Sequence, residues 1–484
     1  MKRTDALHSM LPCDRYTPYS LAKKLGARAV LESATNDNGR GRYSVILVDQ
    51  TFRVVQDDEG PAFIIEGKRK KAAFKNNVRT VPYRNGVTFE KDILDVLEYI
   101  ASQNSLEFGE IPLPAAGIGY LGYEFCARCD MIQLAEQEDP LDVPEAMFIV
   151  GHLYVIFDHV TQQLHLFALN YNEHTINLEA AMDDLQKKIT NTDFSYLEPE
   201  PELEPCRIVT NMVQSAVDYI SAVNRIKYEI VEGNLLQAVP SRRVLIESKM
   251  TALSLYRRLR SENPSPYLFY LDFDNFQLVG ASPESLVRLS NKTAQIHPIA
   301  GTRRRGKDRD EDLALESELL ADEKERAEHI MLVDLARNDL GRVCQTGSVT
   351  APQLMTIERF SHVMHIVSDV EGTIAEKTKP LDVLRSAFPA GTVSGAPKIK
   401  AIEIVSSLEK VKRRFYAGAV GYIKHNSDFD FCIALRCALK KDGIWALQAG
   451  GGIVSDSNPE RELEETNEKM GALVKVFTGK NSLM

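Results

Sequence analysis

The sequence lacks any apolar run close to the roughly 20 residues that a membrane-spanning helix needs, although 44% of its 484 residues are hydrophobic. Its first residues, MKRTDALHSMLPCDRY, also lack the apolar core of a secretion signal. We therefore expect no membrane segment, a cytoplasmic location, and enough apolar side chains for a large buried core.

Excess positive charge is also missing. The chain has 58 Lys and Arg against 68 Asp and Glu, a net charge of −10. This balance argues against broad nucleic-acid binding, and we interpret the short basic run Lys68–Lys71 as a solvated turn or strand end.

Cysteine is sparse, with seven residues scattered along the chain. An odd, scattered set does not form a disulfide framework and suits a reducing compartment. Cys126 and Cys129 form one C-x-x-C, but no second pair or histidine at ligand spacing follows. We therefore interpret them as ordinary thiols.

The chain divides into two regions. Residues 1–200 contain strand and helix patterns, and the Pro- and acid-rich stretch LEPEPELEPCR then marks a connection at about 197–207. A second region, 208–484, opens with AVDYISAVNRIKYEIVEGN, whose apolar spacing predicts an amphipathic helix.

A glycine pattern in the first region imitates a nucleotide-binding turn. Gly117, Gly119 and Gly122 match G-x-G-x-x-G, but Pro112 and Pro114 precede the pattern and aromatic residues continue it. A nucleotide turn follows an apolar strand and opens a helix. We therefore predict a strand here.

Two acidic pairs at helical spacing are present in the second region. Glu325 and Glu328 lie in EKERAEHIMLVDLARND, and Glu462 and Glu465 lie in ERELEETNEKM. A three-residue step places both acids of a pair on one helix face. Two such faces turned together would suit Mg²⁺, whereas two solvated acidic faces are the alternative.

Several long motifs follow one another in a fixed order between about residues 210 and 478. They are GNLLQAVPSRR, ASPES, PIAGTRRRG, AEHIMLVDLARNDLGRV, FSHVMHIVS, FPAGTVSGAPKIKAIEIV, YAGAVGYI and QAGGGIVSDS. This order resembles the chorismate-utilising enzymes, and ARAVLESATNDNGRGRYSVIL with AGIGYLGYE extends the resemblance to the first region. The resemblance implies an α+β fold, a large sandwich of two antiparallel sheets with helices on the outside.

Within that family the chain resembles most closely the large subunits that make anthranilate. The resemblance implies conversion of chorismate and ammonia to anthranilate and pyruvate, with Mg²⁺ as cofactor, as the first step of tryptophan biosynthesis. Residues 208–484 would form the chorismate-binding catalytic region, and residues 1–200 would contribute an effector site.

The resemblance also assigns roles to individual residues. It implies a metal site of Glu325, Glu328, Glu462 and Glu465, and catalytic roles for Glu284 as general acid, His365, Gln237 and Thr392. It implies chorismate binding by Gly301, Thr302, Tyr416, Arg436, Gly450, Gly452 and Lys469. Local sequence alone leaves other roles open: a helix cap for Glu284, a core position for His365 and a tight turn for the glycines.

Two positions distinguish the reactions of the family. Relatives that add water carry a lysine where this chain has Gln237, and relatives that make aminodeoxychorismate usually carry a lysine where it has Ala300. An amide is no base and an alanine is no nucleophile. Anthranilate formation is therefore favoured, while aminodeoxychorismate or aminodeoxyisochorismate synthesis and a non-catalytic chorismate- or tryptophan-sensing role remain the alternatives.

Regulation and a partner are also implied. The resemblance assigns a tryptophan effector site to Glu32, Ser33, Pro266, Tyr267, Leu268 and Cys432, for which plain core packing is the alternative. The sequence has no G-x-C-x-G nucleophile elbow of a glutamine-hydrolysing domain. We therefore expect a separate glutamine amidotransferase subunit to supply ammonia.

Two residues depart from the family pattern. Arg304 stands where proline is usual in GTRPRG, and Phe431 stands where threonine is usual after Asp. Neither change removes a group to which the resemblance assigns a catalytic role.

Overall fold

The computed structural model describes residues 5–34, 41–81, 87–104, 109–192, 203, 205–359 and 363–479. Most of the predicted connection at 197–207, together with parts of two family motifs, lies outside the described residues.

The strands of the first region and of its junction with the second are short. They are β1 (Ala6–Pro12), β2 (Ala29–Glu32), β3 (Tyr43–Leu47), β4 (Phe52–Asp57), β5 (Gly60–Ile65), β6 (Lys68–Lys71), β7 (Val78–Thr80), β8 (Thr88–Glu90), β9 (Ile118–Leu121), β10 (Ala146–Val150), β11 (Leu153–Asp158), β12 (Gln163–Leu169) and β13 (Cys206–Ile208).

The remaining strands belong to the second region. They are β14 (Gln237–Ala238), β15 (Ser241–Ser248), β16 (Tyr267–Asp272), β17 (Gln277–Ser282), β18 (Ser285–Ser290), β19 (Thr293–Ile296), β20 (Ile299–Arg304), β21 (Thr350–Arg359), β22 (Val363–Thr373), β23 (Gly395–Ala396), β24 (Ala419–Ile423), β25 (Phe429–Ile433), β26 (Cys437–Lys441) and β27 (Ile444–Gly450).

Helices connect these strands. The α-helices are α1 (Pro18–Leu25), α2 (Ile93–Ala101), α3 (Cys126–Cys129), α4 (Leu178–Thr190), α5 (Met212–Val231), α6 (Ala252–Glu262), α7 (Arg309–Ala321), α8 (Glu323–Gly341), α9 (Pro380–Ala387), α10 (Lys398–Leu408) and α11 (Pro459–Thr478). Short 3₁₀ turns occupy Tyr123–Phe125 and Gly391–Val393.

Two large antiparallel sheets form the framework. The first has the order β1-β12-β11-β3-β2-β16-β17-β26-β27-β15-β13. The second has the order β20-β22-β19-β18-β25-β24-β9-β10-β4-β5-β6, with β21 also paired to β22. The predicted α+β sandwich of two antiparallel sheets is therefore confirmed. Each sheet contains strands from both sequence regions in two adjacent blocks, which meet at the pairs β2–β16 and β24–β9. The division at 200 and 208 stays a prediction.

Side chains that point to opposite faces of a strand pack into two separate apolar cores. In β16, Phe269 and Leu271 belong to the core shared by the two sheets, whereas Leu268 and Tyr270 pack in the core beneath the outer helices α1, α4, α6 and α11. Successive side chains of a strand point to opposite faces, so a single strand serves both layers.

Local predictions agree with the structure. The predicted amphipathic helix is α5, and its buried residues Tyr219, Val223, Ile226 and Glu229 follow helical spacing. The segment with the G-x-G-x-x-G pattern forms strand β9, as predicted from its prolines and aromatics.

The C-x-x-C cysteines are buried. Cys126 and Cys129 lie in the short helix α3, and burial raises the pKa of both thiols. Thiols with raised pKa values are poorly reactive. Among the described residues, no helix combines the length and the apolar composition that crossing a membrane requires.

Candidate functional site

A glycine turn after β27 brings distant backbone segments together. A Cβ atom at Gly450 would lie 2.3 Å from the carbonyl oxygen of Pro240, and one at Gly452 would lie 2.3 Å from Nε2 of Gln237. Neither contact is possible for a real side chain, so the missing side chains allow this close approach. Gln237 is buried on β14, with its amide against the turn.

The two acidic pairs are gathered beside this turn. Glu325 and Glu328 lie near the start of α8, and Glu462 and Glu465 lie near the start of α11. Lys324 Nζ lies 3.0 Å from an Asp456 carboxylate oxygen, and this ion pair joins the start of α8 to the loop before α11.

Glycines also make room for the carboxylates. A Cβ atom at Gly301 would lie 3.2 Å from Oε2 of Glu325, and one at Gly451 would lie 2.9 Å from Oε2 of Glu462. Gly301 has φ +66° within a β-bulge of strand β20, a conformation that favours glycine.

The gathered charges repel one another. Burial, together with the charges of Glu325 and Glu465, raises the pKa of Glu328. Burial and the charge of Glu465 likewise raise the pKa of Glu462. Carboxylates from both helices therefore act on one another, and a cation among them would relieve the repulsion.

Two basic side chains partly balance this acidic group. Arg303 Nη1 lies 3.3 Å from Oε1 of Glu325, and Lys469 Nζ lies 2.5 Å from Oε1 of Glu465. Lys469 also donates a hydrogen bond to the Gly450 carbonyl at 2.9 Å.

The donor set suits a hard divalent cation, which prefers carboxylate oxygens. As the side chains lie, no three His, Cys, Asp or Glu residues in the described part of the chain are close enough to coordinate one ion together. Binding would therefore require the glutamate side chains to rotate inward, with Glu465 exchanging its contact to Lys469 for the metal.

Glu284 lies between β17 and β18, so the helix-cap interpretation of this residue is wrong. Thr392 Oγ1 donates a hydrogen bond to its Oε1 at 2.8 Å. Burial raises the pKa of Glu284 to about 7, although Thr392 and nearby cationic groups act in the opposite direction. A carboxyl group with this pKa can hold and deliver a proton near neutral pH.

His365 lies on β22 opposite Thr302 of β20. Its Nδ1 is 3.0 Å from the Gly301 carbonyl oxygen and 3.1 Å from the Thr302 hydroxyl. Burial lowers the pKa of His365, which favours the neutral ring. Because a carbonyl oxygen only accepts, we assign the proton to Nδ1, which leaves Nε2 as the basic nitrogen.

Arg436 supplies a positive charge to the same site. It has φ +48°, and its guanidinium makes no hydrogen bond or ion pair among the described residues. Burial lowers the pKa of Arg436, while the charges of Glu465 and Glu284 act to raise it. Burial raises the pKa of neighbouring Tyr416 to about 12, so its phenol is a neutral donor. An unpaired, half-buried guanidinium suits a planar carboxylate.

Motif matching missed two side-chain groups that shape this site. His297, which precedes PIAGT, lies 2.6 Å from Oδ1 of Asp369 and 3.5 Å from Oε1 of Glu358. Burial opposes its charge, but these acids raise the pKa of His297 to about 9. Its adjacency to a site motif was the only sequence signal.

The second missed group is the buried pair of Arg413 and Glu409. Arg413 Nε donates to Glu409 at 2.8 Å, and its other nitrogens donate to the carbonyls of Val393 at 3.1 Å and Val239 at 2.5 Å. Val239 is two residues from Gln237, and Val393 follows Thr392. The pair therefore connects segments that carry separate site residues, a role without a local sequence signal.

The expected effector residues lie elsewhere, around a cavity of about 1030 Å³ between the sheets. The cavity is lined by residues that include all six candidates: Glu32, Ser33, Pro266, Tyr267, Leu268 and Cys432. This cavity is much larger than the roughly 30 Å³ space beside Glu284 and Thr392. We locate the chemistry by its charged groups rather than by cavity size, because the acid, guanidinium and acidic pairs act on one another.

The structure also accommodates the two departures from the family pattern. Arg304 is exposed and forms an ion pair with Glu311 near the start of α7. Phe431 is buried in the core shared by the sheets, with its ring centroid 6.1 Å from that of Phe148 in an edge-to-face arrangement.

Comparison with known proteins identifies the family. A family model described as chorismate binding enzyme matches residues 55–475. The chain therefore belongs to the chorismate binding enzymes.

Two curated relatives are named anthranilate synthase component 1. The protein from Spirochaeta aurantia is 51% identical over 464 residues, covering 96% of this chain and 93% of the relative. The protein from Acetivibrio thermocellus is 38% identical over 482 residues, with the same two coverages. The resemblance to the large anthranilate-forming subunit is confirmed.

Solved structures agree. Anthranilate synthase component I from Streptococcus pneumoniae TIGR4 has a TM-score of 0.75 and 32% identity, covering 90% of this chain and 93% of that chain. The menaquinone-specific isochorismate synthase from Escherichia coli has a TM-score of 0.69 at 17% identity, covering 99% and 96%, and shares the fold.

Arg413→Met is expected to lower the free energy of unfolding by roughly 3–5 kcal/mol, because it leaves Glu409 buried without its cation. Urea unfolding measures the change. The matched control is Lys410→Met on the same segment, since Lys410 is exposed and pairs with Asp218 near the surface; it should change stability little. An equal decrease in the free energy of unfolding of the two variants would contradict the proposed importance of the buried pair.

Glu284→Gln is expected to flatten the pH dependence of stability. The ordinary pKa of 4.5 applies to the unfolded chain, whereas the folded value is about 7. The wild-type chain should therefore lose about 3 kcal/mol of stability relative to the variant as pH rises from about 4 to about 8.

Urea unfolding at both pH values tests this expectation. Glu460→Gln, at an exposed position of α11, serves as control and should follow the wild-type pH dependence. Identical pH dependence in the wild-type chain and Glu284→Gln would show that Glu284 has an ordinary pKa.

Proposed function

We propose that this chain converts chorismate and ammonia to anthranilate, pyruvate and water, with Mg²⁺ bound by Glu325, Glu328, Glu462 and Glu465. The observation that carries the proposal is Glu284, a carboxyl group with a pKa of about 7 in the same charged site as an unpaired arginine and the acidic pairs. The names of the relatives support the same activity.

In the first stage, the ammonia lone pair forms a bond to C2 of chorismate while the ring double bonds shift and the C4–O bond breaks. Glu284 gives its proton to the departing hydroxyl, which leaves as water. Thr392 donates a hydrogen bond to Oε1 of this carboxyl group, so the proton that Glu284 transfers is carried by its other oxygen, Oε2. The added nitrogen, which is an ammonium group at this point, gives one proton to solvent water and becomes a neutral amine.

In the second stage, the C2 proton is removed and the C3–O bond breaks, releasing enolpyruvate, which becomes pyruvate as the ring becomes aromatic. Nε2 of His365 is the base, because the hydrogen bond from Nδ1 to the Gly301 carbonyl fixes the tautomer and burial favours the neutral ring.

Substrate binding uses the remaining assigned groups. Arg436 and the neutral Tyr416 hydroxyl bind the enolpyruvyl carboxylate, while Gly450 and Gly452 let the turn backbone approach it closely. Mg²⁺, when bound, would neutralise the ring carboxylate of chorismate and the four glutamates. When Mg²⁺ is absent, Lys469 forms an ion pair with Glu465 and neutralises its charge.

Two uncharged side chains favour ammonia as the nucleophile. Gln237 is buried against Gly452, and its amide cannot deprotonate water. Ala300 offers no amine that could attack C2. Ammonia therefore adds directly, and a separate glutamine amidotransferase subunit supplies it.

Tryptophan is the proposed inhibitor, and the cavity between the sheets is its proposed site. Strand β25 connects this cavity to the catalytic acid: Cys432 pairs with Ser285, and the Ile433 N–H donates to the Glu284 carbonyl at 3.0 Å. A shift of β25 on tryptophan binding would therefore displace Glu284 and weaken chorismate binding in a two-state equilibrium.

The proposed activity is tested by incubating the purified chain with chorismate, Mg²⁺ and an ammonium salt at mildly alkaline pH. Anthranilate fluorescence should appear and should disappear when a chelator is added. Glutamine alone should give no product until an amidotransferase subunit is added. Consumption of chorismate without anthranilate would indicate an aminodeoxychorismate-type product, and no consumption even with the partner would favour a sensing role.

Glu465→Gln is expected to raise the Mg²⁺ concentration for half-maximal anthranilate formation by about tenfold or more, because one charged ligand is lost. Glu464→Gln is the matched control, since Glu464 is exposed on the same helix. An unchanged Mg²⁺ dependence for Glu465→Gln would remove Glu465 from the proposed metal site.

Tryptophan should raise the chorismate concentration needed for half-maximal rate, and Glu32→Gln should weaken this inhibition about tenfold. Glu32 lines the cavity and is held by Tyr256 Oη at 2.6 Å and Arg260 at 3.2 Å, so the substitution removes the charge without emptying the position. Glu262→Gln, exposed at the end of α6, is the control. Inhibition equal to wild type in Glu32→Gln would place the effector elsewhere.

A further inference from the structure

Tyr219 on helix α5 is a site residue that the family motifs do not single out. Its side chain is 2% exposed and packs with Val223 and Ile226 in a small apolar core. Its hydroxyl is buried and has no hydrogen-bond partner among the described residues. A buried donor without an acceptor costs free energy, so such a group in a site indicates a partner that arrives with a ligand.

The surroundings of this hydroxyl indicate which partner. A Cβ atom at Gly451 would lie 3.3 Å from the Tyr219 hydroxyl, 2.9 Å from Oε2 of Glu462 and 3.9 Å from Oε1 of Glu465. One missing side chain therefore leaves a gap that the phenol and both α11 carboxylates border.

The phenol remains a donor in this position. Burial, and then the negative charge of Glu462, raises the pKa of Tyr219 well above its ordinary value, so the proton stays on oxygen. Because the hydroxyl makes no hydrogen bond among the described residues, this proton has no acceptor in the ligand-free chain. A group that can accept it has to move next to the phenol.

We propose that Tyr219 is a positioning residue for the metal-binding pair: its hydroxyl donates a hydrogen bond to the Glu462 carboxylate when that carboxylate turns to hold Mg²⁺. The proposal rests on the proposed function for the identity of the cation. The hydroxyl is closed off from solvent, which favours a protein carboxylate over chorismate as the acceptor. Outer partners of this kind fix the orientation of a ligand and so raise metal affinity.

Tyr219→Phe tests the proposal, because it removes only the hydroxyl. Mg²⁺ is titrated by calorimetry into the chain with chorismate present and ammonium absent, so that no turnover occurs. We expect Mg²⁺ affinity to fall about tenfold to a hundredfold, while chorismate affinity at saturating Mg²⁺ stays unchanged. The melting temperature of the ligand-free variant should equal or exceed that of the wild-type chain, since an unpaired buried donor is lost.

The matched control is Tyr228→Phe on the same helix, where the hydroxyl is lost from an exposed side chain. It should leave all three measurements unchanged. Unchanged Mg²⁺ affinity in Tyr219→Phe would overturn the proposal, as would a lower melting temperature of the ligand-free variant. Weaker chorismate binding at saturating Mg²⁺ would also overturn it by making the substrate the acceptor.

The wild-type titration separates this proposal from the proposed function. A wild-type chain that forms anthranilate and binds Mg²⁺, with an unaffected Tyr219→Phe variant, would refute only the role of Tyr219. A wild-type chain that binds no Mg²⁺ would refute the metal assignment and the role of Tyr219 together.

Discussion

The buried ion pair between Arg413 and Glu409 holds the site together. Glu409 accepts hydrogen bonds from the backbone N–H and the hydroxyl of Ser241, both at 2.7 Å, in addition to those from Arg413. The guanidinium lies 4.4 Å from the ring centroid of Tyr123 and 5.8 Å from that of Tyr416. Because both charges are buried, each fixes the position of the other. The backbone segments that are hydrogen-bonded to the pair are therefore held in fixed positions as well.

This rigid arrangement allows the site to hold groups in unfavourable states. Glu328 and Glu462 are held near other carboxylates, Glu284 is held protonated near neutral pH, and the Tyr219 hydroxyl has no acceptor. Each state lowers the stability of the ligand-free chain, and under the proposed function each would be relieved by a cation, a leaving group or a rotated carboxylate. Sites of this kind exchange stability for function.

The sandwich also places the proposed effector site and the proposed catalytic site apart from each other but in contact with one common strand. The cavity that contains the proposed effector residues lies between the sheets, and it is lined by Leu268 of one sheet and Cys432 of the other. Strand β25 borders both this cavity and the loop that carries Glu284. A ligand that changes the contact between the sheets can therefore act on the acid through a single strand, without a longer path.

The sequence alone determined the local elements and the chemistry available. Helical spacing predicted α5 and the shared face within each acidic pair, and prolines and aromatics predicted β9, because these signals depend on neighbours in the chain. The sandwich was implied by the resemblance to a known family that the ordered motifs carry. Only the tertiary structure decided that the charges of Glu328 and Glu465 act on each other and that burial raises the pKa of Glu284 to about 7. It also decided that Arg413 bonds to the segments beside Gln237 and Thr392, and that Tyr219 borders the gap at Gly451. Burial, charge and close approach at glycine arise between segments distant in sequence, and no local pattern encodes them.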